Sequence, residues 1–184
     1  MKITKAVVRR MSLDFKVGFR TSFGLSTTKD FSIVELHDSD GNVGYGACSA
    51  FMRPWYNEET TMGALFVIKE YLIPSLFEAG DFKDPEWFFD HTGWIRRNRM
   101  ARASVDCALW ELYSKELGIP EYKALGGVRD EIEAGVSLGI EDTPDKLLHT
   151  IEKYMAQGYR RVKCKIKPGY DINYLRAVRK EYGD

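Results

Sequence analysis

The chain has 184 residues, 44% of them hydrophobic and 29% charged, an ordinary globular composition sized for one domain or one and a half. Lys and Arg number 27, as do Asp and Glu, so no basic excess is available to neutralise phosphates, which argues against a nucleic-acid or membrane-surface role. Cys48, Cys107 and Cys164 are widely spaced without a CxxC and read as small buried hydrophobes in a reducing compartment; no apolar run reaches the ~18 residues of a membrane span and no signal-peptide core is present, so the expectation is a cytoplasmic protein.

Residues 2–11 alternate loosely and predict an opening strand. The stretch 14–30 is rich in Gly, Ser and Thr yet carries Phe15, Phe19 and Phe23, which suggests a loop that covers something. Residues 31–37 and 43–50 predict two strands joined at Asp40-Gly41, a hairpin signal, so the front of the chain reads as an antiparallel meander. A second aromatic loop, "FMRPWYNEE", fills 51–59.

Helical patterns follow over about 58–79, 85–95 and 99–117. The last is the strongest: Ala101, Val105, Ala108 and Leu112 share a face, and Gly118 with Pro120 stops it. "YKALGG" (122–127) closes this part at a plausible domain boundary. A strand over 131–140, a helix opened by Thr143 as cap and Pro144 as first residue and running to Gly158, a strand over 159–166 and a helix over 171–183 then alternate as in a parallel α/β fold. Only two such units are present, whereas a closed (β/α)8 barrel takes about 250 residues. The expectation is that they pack on something else or open a longer protein.

"RRVKCKIKPG" (160–169) carries the chemistry. Lys163, Lys165 and Lys167 alternate with Val162, Cys164 and Ile166, so all three lysines are expected on one face. A solvated edge strand would read the same way. Strands followed by crossover helices are normally buried on both faces, however, and in a barrel the apolar residues would face the helices while the lysines point inward near the mouth. Lys163 and Lys165, ~7 Å apart by strand rise, would lower each other's pKa, as a lysine base requires.

The chain resembles the enolase superfamily, in its muconate-lactonizing subgroup. The carriers are "VKCKIKPG", which looks like that subgroup's K-x-K motif, "ARASVDCALWELYSKELGIPEYKALGG" (101–127) and "GYGAC" (44–48). "FRTSFG" (19–24), "RPWYNEE" (53–59) and "GVSLGI" (135–140) are similar to the o-succinylbenzoate synthase / N-acylamino acid racemase family.

The resemblance implies an α+β capping domain, residues 1–127, followed by the first two βα units of a TIM barrel over 128–184. It implies Lys165 as acid/base catalyst and Lys163 as its electrostatic assistant. Phe19, Arg20, Phe23, Phe51, Tyr56 and Ser137 fall at substrate-binding positions. It further implies Mg2+ holding an enediolate, with ligands expected beyond residue 184 and no metal ligand in this chain. The implied partners are a small-molecule carboxylate substrate, the remainder of the barrel on the same or another chain, and further copies in a homo-oligomer, with no nucleic acid or membrane. The reaction implied is o-succinylbenzoate synthesis, a dehydration serving menaquinone biosynthesis. The alternatives are N-acylamino acid racemisation or another muconate-lactonizing-type activity, and a non-catalytic fragment that acts only as a binding or assembly module. The 184-residue chain by itself is expected to be inactive.

Other features read as structural. His37, His91 and His149 are scattered, Trp55-Tyr56 suits core packing as well as a site, and Asp106 and Glu111 suit a solvated helix face. Gly44, Gly46 and Gly126-Gly127 lack the strand-turn-helix setting of a phosphate loop, and Cys164 points to the helix side as an inert thiol.

Overall fold

A computed structural model describes residues 1–183. They divide into two compact units, one of Met1–Leu13 with Lys29–Val128, the other of Asp14–Thr28 with the chain from Arg129 on.

Strands β1 (Ile3–Thr21), β2 (Gly24–Asp38) and β3 (Val43–Cys48) form one sheet in the order β1-β2-β3. β2 and β3 pair antiparallel from Ser32↔Cys48 to His37↔Val43, the meander expected. Their turn is built by Asp38, whose carboxylate accepts from the backbone N–H groups of Asp40 (2.9 Å) and Asn42 (2.8 Å) and from the Asn42 amide (2.8 Å). Burial pushes the Asp38 carboxyl up, but the Asn42 and backbone hydrogen bonds outweigh it and hold the group below its ordinary 3.8.

Residues 14–30 correct the sequence reading. They are the far ends of β1 and β2, a hairpin that turns at Ser22-Phe23, not an irregular loop. The Gly, Ser and Thr content obscured a period-two series of strand formers, Phe15, Val17, Phe19 and Thr21.

The helical stretch after the second aromatic loop comes as α1 (Thr61–Val67), a π-helical turn (Ile68–Leu72) and α2 (Ile73–Ala79). Pro74, in the first turn of α2, has no N–H to give and its ring would strike the carbonyl four residues back; the widened turn before it relieves both. Then come α3 (Glu86–His91), α4 (Arg99–Leu117) and α5 (Glu121–Ala124). α4 ends at Gly118 (φ +67), where the N–H of Ile119 reaches Ser114 O and that of Gly118 reaches Lys115 O, a Schellman stop.

α4 packs on the sheet through small residues. Ala101, Ser104, Val105, Ala108, Leu109 and Leu112 are fully buried, as are Val34 and Leu36 of β2 and Ile68, Leu72 and Leu76. Gly44 and Gly46 of β3 let the helix backbone come very close: a Cβ on Gly46 would lie 1.8 Å from Ser104 O, and one on Gly44 2.1 Å from Ala108 O.

In the second unit β4 (Gly135–Leu138) and β5 (Arg161–Cys164) pair parallel, Gly135↔Arg161 through Leu138↔Cys164. Helices α6 (Pro144–Met155) and α7 (Asp171–Tyr182) follow them. The Thr143 hydroxyl accepts from Lys146 N at 3.2 Å and Pro144 occupies the first turn, as the sequence predicts. Leu138, Leu147 and Ile151 form a small core with Val136, Val162, Cys164, Tyr154, Tyr174 and Val178 around it. The architecture is an α+β capping domain and a two-stranded parallel sheet that starts a (β/α)8 barrel.

Both barrel strands are shorter than the alternation suggests. Ile166 lies past the end of β5 and is 53% exposed instead of facing the helices. Pro168-Gly169 draws the chain into the turn before α7, which takes Ile166 off the sheet. Among the described residues no helix is long and apolar enough to cross a membrane.

Candidate functional site

The second unit sorts its sheet residues by face. Val136, Val162 and Cys164 pack toward α6 and α7, and Leu138 is buried with them. Ser137 pairs with Lys163 in register, so their side chains share the opposite face, and both are exposed. Lys165, two residues on, is also exposed. Lys167 departs from the expected row: its ammonium lies 4.6 Å over the ring of Tyr170, which stacks on Tyr174 at 3.7 Å. Burial pushes the Tyr170 phenol far above its ordinary 10, with Tyr174, Asp142 and Glu141 adding to the effect. The lysine face of this pair is open to solvent and not buried, because two strands leave it uncovered.

The tip of the β1-β2 hairpin belongs to this same unit. Arg20 O accepts from Ile140 N at 3.1 Å, just past the end of β4, and the Arg20 guanidinium donates to Asp142 Oδ1. Gly139 sits so close that a Cβ there would lie 3.3 Å from Arg20 O and 3.9 Å from Cδ2 of Phe19. Phe19 is thereby placed at the end of β4, two residues beyond Ser137, while Phe23 at the turn is 75% exposed.

Phe51 and Tyr56 lie in the first unit. Phe51, Trp55 and Tyr56 form an aromatic cluster, with centroids 4.6 Å apart for Phe51–Trp55 and 5.8 Å for each of the other two pairs. The loop is clamped at its root. Phe51 O accepts from Thr61 N at 2.8 Å, and Ala50 O accepts from the buried Thr61 hydroxyl at 2.8 Å.

Glu59, 5% exposed, closes the clamp: its carboxylate accepts the N–H groups of Met100 (2.9 Å) and Ala101 (3.0 Å). These are orphan donors at the start of α4, whose own cap residue Asn98 is left-handed (φ 45) and makes no side-chain capping bond. Sequence reasoning missed Glu59. No signal for it stands in the sequence, since Asn98 is an ordinary cap residue type and only the structure shows its side chain making no capping bond. Asp142 was missed as well, because ion pairs between distant segments leave no spacing to read.

Among the described residues no group of three or more His, Cys, Asp and Glu side chains is placed to hold a metal ion. His37 bonds Glu35 (2.7 Å) and His91 stacks on Trp87 at 4.4 Å. Cys48 is buried, Cys164 half-buried and Cys107 exposed, the last correcting the expectation of a buried thiol. Burial pushes all three thiols up, away from reactive thiolate. Asp106 faces an open pocket of about 320 Å³ with Phe89, Arg99 and Arg102, and burial raises its carboxyl despite the Arg102 charge.

Comparison with known proteins decides the family. The model of the mandelate racemase / muconate lactonizing enzyme N-terminal domain matches residues 3–126. The chain belongs to this family. It is similar to the o-succinylbenzoate synthase of Geobacillus kaustophilus, 45% identical over 184 residues, covering 100% of this chain and 49% of that protein. It is also similar to the N-succinylamino acid racemase of Thermus thermophilus, 37% identical, covering 99% of this chain and 49% of that protein. A solved member of the enolase superfamily from Listeria innocua superposes with a TM-score of 0.92 at 38% identity, again over 99% of this chain and 49% of that one. The chain thus spans about half the length of the curated relatives it matches.

Proposed function

We propose that the chain supplies the capping domain (1–127), the first barrel units (128–184) and the catalytic lysine strand of an enzyme that removes the proton next to a carboxylate. The best specific reading is o-succinylbenzoate synthesis, elimination of water from a cyclohexadiene carboxylate. The observation that carries it is the shared face of Ser137 and Lys163, with Lys165 exposed just past the end of β5 and Phe19 near the end of β4.

In this reading Lys165 takes the proton, and the electron pair left behind moves into the carboxylate as an enediolate. The fixed charge of Lys163 favours that negative charge. The enediolate then collapses and its C–O bond breaks, the departing hydroxyl taking up the proton that Lys165 now carries and leaving as water. Phe19 and Phe51 set which side chain or acyl group is accepted. Magnesium belongs to the same reading, but the described residues do not assemble a site for it, so no step runs through it. The rest of the barrel, on the same or another chain, would complete the active site. Racemisation of N-acylamino acids is the second reading, favoured by the likeness to a racemase, since proton removal by the same lysine begins both reactions.

The test is proton–deuterium exchange at the substrate's acidic carbon in deuterated water, in the enzyme with its complete barrel. Lys165→Ala should lose at least about 10²-fold, the lower end of a general-base contribution, with circular dichroism unchanged. Exchange at the wild-type rate would sink the reading.

A further inference from the structure

The hairpin tip is seated on the first barrel loop by three ties of different kinds. The first is a backbone hydrogen bond, Ile140 N to Arg20 O at 3.1 Å. The second is close approach at Gly139, where any side chain would push against the Arg20 backbone. The third is ionic: Asp142 uses Oδ1 for Arg20 and Oδ2 for Lys146 (3.0 Å), so both carboxylate oxygens are engaged. Asp142 also stands just ahead of the α6 N-terminus, where the helix dipole favours an anion. Lys146 and Arg20 both hold its carboxyl below the ordinary 3.8.

Arg20 falls at a position the family resemblance implies for substrate binding; its guanidinium pairs with Asp142, and its neighbour Phe19 lies against Gly139. We infer that Arg20, Asp142 and Gly139 are positioning residues: they fix the register of the hairpin on the end of β4 and so hold Phe19 at the end of the Ser137–Lys163 face. This rests on reading that face as the catalytic one. The ion pair is half-exposed, so its own contribution is small; its value is directional, because the backbone bond alone lets the tip pivot.

The test needs no substrate in its first arm. Amide hydrogen exchange of residues 14–28 is measured for wild type, Arg20→Asp, Asp142→Arg and the double exchange of the two charges. Each single variant should speed exchange there roughly 2- to 5-fold, the range one exposed ion pair supports, and leave α4 unchanged. The double variant should return toward wild type. Unchanged single variants, or a double variant with the two defects added, would overturn the seat. Gly139→Val keeps every charge and should produce the same loosening by displacement alone; protection equal to wild type would count against the seat.

The second arm uses the enzyme with its complete barrel. Arg20→Asp should raise KM several-fold while kcat stays within about twofold, the signature of lost positioning without lost chemistry. An equal fall of kcat at unchanged KM would overturn the positioning role. Loss of the Lys165 reading would leave the exchange arm intact, so the two failures are distinguishable.

Discussion

The carboxylate of Glu59 accepts the N–H of Ala101 at 3.0 Å across 42 residues of sequence, and in doing so caps the central helix with the root of the aromatic loop. One buried acid therefore serves α4 and the Phe51–Tyr56 cluster together. Glu59→Ala should cost about 2 kcal/mol, the loss expected when buried donors are orphaned, and show as a lower urea midpoint of the first unit. Glu59→Gln keeps one acceptor and should recover part of that. The near-ultraviolet dichroism of Trp55 should change in the Ala variant, and an unchanged midpoint would show the cap to be dispensable.

Gly46→Ala should be among the most damaging single changes in the chain. Its Cβ would stand 1.8 Å from Ser104 O, a backbone atom that cannot swing away. Overpacking commonly costs about 1–3 kcal/mol, and the rigid neighbour puts this case at the top of that range or above. Gly80→Ala is the control: its φ of +69 is unfavourable but nothing lies within 4 Å, so about 1–2 kcal/mol is expected. Equal midpoints for the two variants would contradict the close approach of β3 and α4.

Two carboxylates should act on stability in opposite directions with pH. The Asp38 carboxyl is lowered, so its contribution is fully present above the unfolded value near 3.8 and is lost as pH falls through the lower folded value. Asp38→Ala should therefore lower stability at neutral pH and flatten the acid limb. The Asp106 carboxyl is raised, so its stabilising share is present below 3.8 and lost as pH rises through the folded value. Asp106→Asn should be more stable than wild type at neutral pH, with the difference closing in acid. Urea titrations across that range read both signs.

In the proposed reaction Lys163 tunes charge and carries no proton, so Lys163→Ala should slow substrate exchange less than Lys165→Ala. Phe19→Ala should redistribute kcat/KM among substrates that differ in side chain or acyl group while leaving exchange on the preferred core largely intact. An equal loss across all substrates would show Phe19 to be structural.

Much of this was legible in the sequence wherever a short-range rule applied. Helix α4, its glycine stop, the Thr143-Pro144 start of α6 and the Asp40-Gly41 turn all follow from residues within a few positions of one another. The alternation that sets Lys163 opposite Val162 and Cys164 within β5 is equally local. The hairpin arm was misread because its Gly, Ser and Thr content masked the alternation of Phe15, Val17 and Phe19 with Lys16, Gly18 and Arg20. Glu59 and Asp142 were invisible for a different reason: each finds its partner 42 or 122 residues away, and only the fold brings those segments together.

The bare glycine contact between β3 and α4 has a bearing on how such a domain can diversify. Where a strand and a helix touch through backbone atoms, their spacing is set by peptide geometry and is insensitive to drift in side-chain volume elsewhere in the core. Phe51 follows shortly after β3 and Glu59 grips the head of α4, so the two anchor points of the aromatic loop inherit that fixed spacing. A change at an exposed position between those anchors therefore alters the loop surface without requiring β3 and α4 to be repacked.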